Sequence, residues 1–326
     1  MKKRPAMSSM LVMIFTVVLI LSSTPVSAEK VVVVPLFSAK KLGNVVTVAK
    51  SGGKFTDPVA AVNSITDASA SNPYLVVIGP GQYTLTSALV IRDGVFVAGS
   101  GIDATALRGN ISSGSVDASS AIVVISGTTC SLSDLSIFND GGGYYSFALY
   151  SNSNSNKSRV NNVKCFAVNG SNNRGVFFDS TTPGYTTILT NVTSYAWASG
   201  TAYAYGLYIS GAPCEIYNSS FDAFGGNSSR GIYLSNASGT KLINVEASAH
   251  DSSISNHGMM CNNSSPTVRQ SYFKGLTYGI SIISGTVRVL NSSIEGGVNK
   301  IGGTLSCVNS NNGAATPLAS DCQVVP

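Results

Sequence analysis

Apolar and polar residues alternate in short runs along most of this chain, and the runs return at a nearly fixed interval. Between about Ala121 and Gly297 one polar residue marks each return: Asp134, Asn162, Asn191, Asn218, Asn244, Gln270 and Asn291, in steps of 28, 29, 27, 26, 26 and 21 residues. A partner mark precedes each, at Ala121, Ala148, Gly175, Gly206, Gly231, Gly258 and Gly279. Two marks kept in step over seven repeats point to a solenoid. One run follows the partner mark, as in Gly206-Leu207-Tyr208-Ile209 and Gly231-Ile232-Tyr233-Leu234. A second ends two residues before the Asn, at Ile188 or Leu189, Ile216, Leu242, Val268 and Val289. A third, very short, contains Ile137, Cys165, Phe221, Phe273 and Ile294. Each alternates with period two, the pattern of a strand with one buried face. Three short strands per repeat and no helix between them predict an all-β fold. It is a single right-handed parallel β-helix solenoid of roughly ten turns, with like strands stacked about 4.8 Å apart.

The Asn column suits such a coil. A bend between strands leaves backbone groups unpaired, and a buried amide supplies both donor and acceptor. Amides stacked one per turn can also bond each other along the axis. Asn162, Asn191, Asn218, Asn244 and Asn291 are therefore expected to form an internal ladder, the other reading being surface turn residues.

Ahead of the repeats, Asp57-Pro58 is a helix start, with Asp57 as N-cap and Pro58 as first helical residue. Val59, Val62 and Ile65 or Thr66 share one face, so a capping helix over about 58–68 is expected to close one end of the coil and guard its first strand edge. The β-helix is placed at 45–306, after an extended lead at 29–44 whose Val31 to Pro35 reads as an edge strand. Residues 1–28 have the three parts of a signal peptide: Lys2, Lys3 and Arg4, an apolar run from Met10 to Leu21, and Val26-Ser27-Ala28. The apolar run is too short for a membrane span. Cleavage after Ala28 lowers the net charge of +5 by three basic residues, leaving too little to imply nucleic acid. An exported protein follows, extracellular, cell-surface or periplasmic.

Val45 to Thr56, the helix with Ala60-Ala61-Val62, and Gly79-x-Gly81-x-Tyr83 resemble the N-terminal part of pectin methylesterases. Val97-Ala98-Gly99-Ser100-Gly101 with Thr105 is similar to the segment that follows in that group. The repeats behind resemble the wider pectin-lyase-like superfamily of right-handed parallel β-helices. The resemblance implies a polysaccharide partner, and it stops short of the chemistry. Pectin methylesterases carry Gln-Asp-Thr-Leu, Asp-Phe-Ile-Phe-Gly and Arg-Pro-Trp, and none of these occurs here.

Other polysaccharide chemistries make their own demands on the residues. Hydrolases need neighbouring acids, and no Asp-Asp pair occurs; Asn256-His257-Gly258 is the nearest fragment of a polygalacturonase-like motif. A lyase needs clustered acids for calcium and a base, whereas Asp179, Asp222, Glu246 and Asp251 fall in different columns. His250, Asp251 and His257 are the only catalytic candidates, with His250-Asp251 readable as an epimerase-like or lyase-like base pair or as a solvated turn. No metal or cofactor is called for.

The outward column of the first strand reads Val123, Tyr150, Phe177, Tyr208, Tyr233, Met260, Ser281, and beside it run Arg174, Tyr205, Arg230, His257 and Tyr278. Aromatic faces stack on sugars and Arg pairs with uronate carboxylates, which makes Tyr150, Phe177, Tyr208, Tyr233, Arg174, Arg230 and His257 candidates for binding an acidic polysaccharide. A cross-strand packing ladder and a homo-oligomer contact remain as alternatives. The functional expectation is thus a non-catalytic glycan-binding protein; a polysaccharide lyase or esterase and a structural or adhesive subunit stand beside it.

Six cysteines are compatible with disulfides in an exported chain. Cys307 and Cys322, in an irregular tail at 307–326, are expected to be bonded and to pin a C-terminal cap. Cys130, Cys165, Cys214 and Cys261 point inward as small core residues, Cys130 and Cys165 being the pair to check for a bridge. Sequons at Asn110, Asn156, Asn169, Asn191, Asn218, Asn227, Asn236, Asn262, Asn263 and Asn291 include three ladder residues expected to be buried. That, with the short basic start, favours a bacterial source.

Overall fold

The structure, a computed structural model, describes residues 44–151, 158–179 and 186–322. The leader, nearly all of the lead and the sequon at Asn156 lie outside the described residues. Strands from Asn44 to Val308 are sorted into two sheets, one of fifteen strands and one of nine, and every paired ladder is parallel. Nine stacked strands in the smaller sheet give about eight turns, fewer than the ten expected, because the early strands before Ala121 are shorter and less regular. The core is built in columns. Val160, Leu189, Ile216, Leu242, Val268 and Val289 pair in sequence across the larger sheet. Leu149, Val176, Leu207, Ile232, Met259 and Ile280 do so across the smaller one. All are buried in one continuous core, each contributing roughly 1.5–3 kcal/mol of transfer free energy.

The second and third short strands of a repeat are not separate in the middle turns. They form one bent strand, as in Thr187–Ala198 and Cys214–Gly225. The bend is the marked column: Asp134, Asn162, Asn191, Asn218, Asn244, Gln270 and Asn291 all have φ between 49° and 58°. Asn tolerates this left-handed conformation better than most residues, which explains the column.

The side chains, however, lie outside. Asn191, Asn218, Asn244 and Asn291 are exposed and Asn162 is half-buried, so the expected internal ladder is corrected to a surface one. The bonds along it are intermittent: Asn162 donates to Asp134 at 2.7 Å and Asn244 to Asn218 at 2.9 Å. The buried role belongs to the next residue. Ser219, Ser271, Ser292 and Ser310 accept from the backbone N–H of Val192, Val245, Ser271 and Ser292 on the preceding turn, at 3.0–3.3 Å. Each serine hydroxyl then donates to the carbonyl two residues back, at 2.7–3.1 Å. The left-handed residue swings the following N–H off the sheet ladder, and the hydroxyl bridges that gap. The sequons at Asn191, Asn218 and Asn291, expected to be buried, are open to solvent.

The glycine column has a different cause. A Cβ on Gly206 would lie 2.7 Å from the Gly231 carbonyl and 2.8 Å from the Asp222 N, so backbone of both sheets leaves no room for a side chain here. The earliest repeat is corrected by one residue: Val124, not Val123, pairs with Tyr150, and Ala121 pairs with Phe147.

Both ends of the coil are covered. The capping helix is Pro58–Asn63, with Asp57 accepting from the Val59 N–H at 2.9 Å. It stops short of 68 because the Ser64 hydroxyl turns onto the Ala61 carbonyl at 2.7 Å, a side-chain bond that competes with helix continuation. At the other end the coil runs past 306. Thr304–Val308 pairs with Thr286–Leu290 as a last rung, so Cys307 belongs to the coil and not to the tail. Cys307 and Cys322 are disulfide-bonded. Cys130, Cys165, Cys214 and Cys261 are free and buried. Cys130 and Cys165 therefore form no bridge, and burial pushes all four thiols well above their ordinary range.

Candidate functional site

The outer face of the smaller sheet carries the predicted stripe. Pairing puts Tyr150, Phe177, Tyr208, Tyr233, Met260 and Ser281 in one column. Phe147, Arg174, Tyr205, Arg230, His257 and Tyr278 form the next. The stripe is not uniformly open. Tyr150 and Phe177 are 6% and 2% exposed and join Phe147 in a small apolar cluster of their own. Burial pushes the Tyr150 hydroxyl up to about 12. These two rings offer no free face, so they are corrected from stacking residues to packing residues. Tyr208 and Tyr233 are half-buried, with ring centroids 4.8 Å apart.

Arg174 is also buried, its guanidinium lying 4.1 Å from the Phe177 ring centre, 4.5 Å from Tyr208 and 4.9 Å from Phe147. Its Nε and Nη1 have no hydrogen-bond partner. Burial lowers its proton affinity, and Tyr205, Tyr208, Tyr145 and Asp179 act against that. Arg230 is half-buried and donates to the Tyr205 hydroxyl at 2.8 Å, with its Nε 2.9 Å from the Met260 sulfur. His257 is buried next to Tyr278, its Nδ1 unpartnered, and burial with the Arg230 charge lowers its pKa to about 4. Among the described residues no carboxylate forms an ion pair with Arg174, Arg230 or His257. Tyr205 and Met260, not chosen from sequence, complete this surface. Their column membership was visible, but their contacts to Arg230 were not.

The other candidates lie on the outer face of the larger sheet. His250 Nδ1 is 2.7 Å from Asp251 and its Nε2 is 3.4 Å from Asp222. Ser248 donates to Asp222 at 2.6 Å, and Phe224 stacks on the imidazole at 5.4 Å. His250 and Asp222 are half-buried while Asp251 is exposed on the turn after the strand, and the cluster gathers two acids that the sequence placed in different columns. Burial opposes protonation of His250, but the bonds and charges of Asp251 and Asp222 outweigh it and raise the pKa. With a carboxylate at each ring nitrogen, the protonated imidazole can give a proton but has no lone pair with which to take one. His257 lies on the opposite sheet and does not join this cluster. Among the described residues no three His, Cys, Asp or Glu side chains group as a metal site, and no helix is long and apolar enough to cross a membrane.

The bent strands make a third surface. A groove of about 590 Å³ runs along the Asn corner from Thr193 to Asn311, lined by amides and hydroxyls. Near its start two parallel-stacked rings, Phe138 and Phe166 (4.6 Å), continue to Tyr195 (5.1 Å).

No protein-family model matches this chain. No curated protein matches it either. Solved structures do. The pectin methylesterase from Aspergillus niger in deglycosylated form is 14% identical, over 88% of this chain and 93% of that one, with a TM-score of 0.53. The same enzyme in penultimately deglycosylated form gives 14%, 88%, 93% and 0.51. At such identity the likeness concerns the fold. With two parallel sheets coiled about one core, this chain has a right-handed parallel β-helix fold, similar to that of these pectin methylesterases.

Proposed function

We propose that the protein is exported and binds an acidic polysaccharide on the outer face of its smaller sheet, without cleaving it. One observation carries this reading: Tyr208 and Tyr233, half-buried on consecutive turns, lie beside the half-buried Arg230, with which no carboxylate among the described residues forms an ion pair. Sugar rings stack on such aromatic faces, and a guanidinium with no carboxylate partner of its own favours a carboxylate on the ligand. The likeness of fold to pectin methylesterases makes a polysaccharide the natural class to test. The absence of the esterase motifs from the sequence supports binding over cleavage.

The test is retention of the mature protein on a polyuronate, on its methyl ester and on a neutral glucan. Retention on the polyuronate and not on its methyl ester is expected, weakened by salt and lost in Tyr208→Ala/Tyr233→Ala. No retention, or equal retention of the double variant, overturns the reading. A second reading, a lyase or esterase, rests on His250 between Asp222 and Asp251. It requires polysaccharide cleavage or deesterification that His250→Ala abolishes.

A further inference from the structure

The groove at the Asn corner differs in chemistry from the sheet face just described. No Lys or Arg lines it, and its one carboxylate is Glu246. Its floor is inert to a ligand, because the serine hydroxyls there already accept one backbone bond and donate another. Its rim is not. A complete amide ladder would bond at every turn, but here Asn244 bonds Asn218, and the side chains of Gln270 and Asn291 have no partner among the described residues. Amide groups therefore line the groove with donor and acceptor capacity to spare. Tyr272, half-buried in the same wall, adds an aromatic surface. The rungs repeat about every 4.8 Å, so the amides from Asn218 to Asn291 span roughly 15 Å.

We infer that this groove is a second ligand site, which takes an extended, uncharged, hydroxyl-rich chain: a neutral β-linked polysaccharide lying along the coil axis. A sugar hydroxyl is both donor and acceptor, as is each rim amide, and an extended β-linked hexose chain advances by a step comparable to one rung. A polyanion is disfavoured, since Glu246 repels it and no cation in the lining compensates.

The corner geometry supplies a clean test. Asn244 and Asn291 have φ of 54° and 49°, which glycine adopts without penalty. Asn244→Gly/Asn291→Gly therefore removes two amides while keeping the bend. Cellohexaose binding to the full mature chain is measured by calorimetry at low and high salt. The wild type is expected to bind with little salt dependence. The glycine double variant is expected to lose about tenfold or more, with its circular dichroism unchanged. Tyr208→Ala/Tyr233→Ala is expected to bind cellohexaose as the wild type does, which separates this site from the acidic-glycan face. Absence of cellohexaose binding, undiminished binding in the glycine variant, or displacement of cellohexaose by a polyuronate overturns the inference.

Discussion

Asn191 shows how one residue can be required for its backbone alone. Its φ is 52° and its side chain is exposed. Left-handed geometry costs an ordinary residue about 1–2 kcal/mol. Asn191→Ala should therefore lower stability by about 1 kcal/mol, whereas Asn191→Gly should stay within a few tenths; urea midpoints of the two variants decide this. The two histidines are a second case, and the sequence contains no others. His257 is held neutral by burial and Arg230, with its pKa at about 4. Between its ordinary value of about 6.5 and about 4, the unfolded chain binds the proton that the folded chain refuses. His257 should thus remove stability as pH falls through that window. His250 has the opposite sign: its raised pKa contributes stability that is complete below about 6.5 and lost as pH rises through the folded value. Thermal melts from pH 4 to 8 on His257→Gln and His250→Gln should flatten opposite limbs of the profile.

At the level of elements, the sequence shows columns more clearly than directions. The glycine and Asn marks located nearly every rung, because a 26–29-residue step in sequence becomes one rung in space. Which way the Asn side chains face was not legible, because a left-handed corner needs Asn whether it lies inside or out. The decisive signal was the following serine in Asn218-Ser219, Gln270-Ser271 and Asn291-Ser292, the residue that meets the buried N–H of the preceding turn. The stripe was legible as a column but not as a surface: Tyr150 and Phe177 occupy the same register as Tyr208 and Tyr233, yet are closed from solvent. His250 and Asp251 were legible as neighbours, but Asp222 was not, because it lies one turn away at a neighbouring offset and only the lateral reach of the imidazole joins them. The short capping helix shows the same limit: its start was written in Asp57-Pro58, while its end depends on one serine hydroxyl.

For the whole molecule, the last rung has a consequence beyond covering the core. Thr304–Val308 is the final strand of the larger sheet, and the returning tail occupies part of its free side, with the Cys307 N–H bonded to the Ser320 carbonyl at 2.8 Å. Cys322 ties that tail down. A strand edge left open is a template for another chain, and every rung before this one is built to accept a parallel neighbour. The disulfide holds in place the segment that covers part of this edge. Gentle reduction, or Cys322→Ser, should shift the protein from single particles toward end-to-end fibres, read by light scattering and electron microscopy. Unchanged scattering would assign the blocking to the tail itself. A shift to fibres would make the closure of this end of the coil depend on the redox state of a single bond.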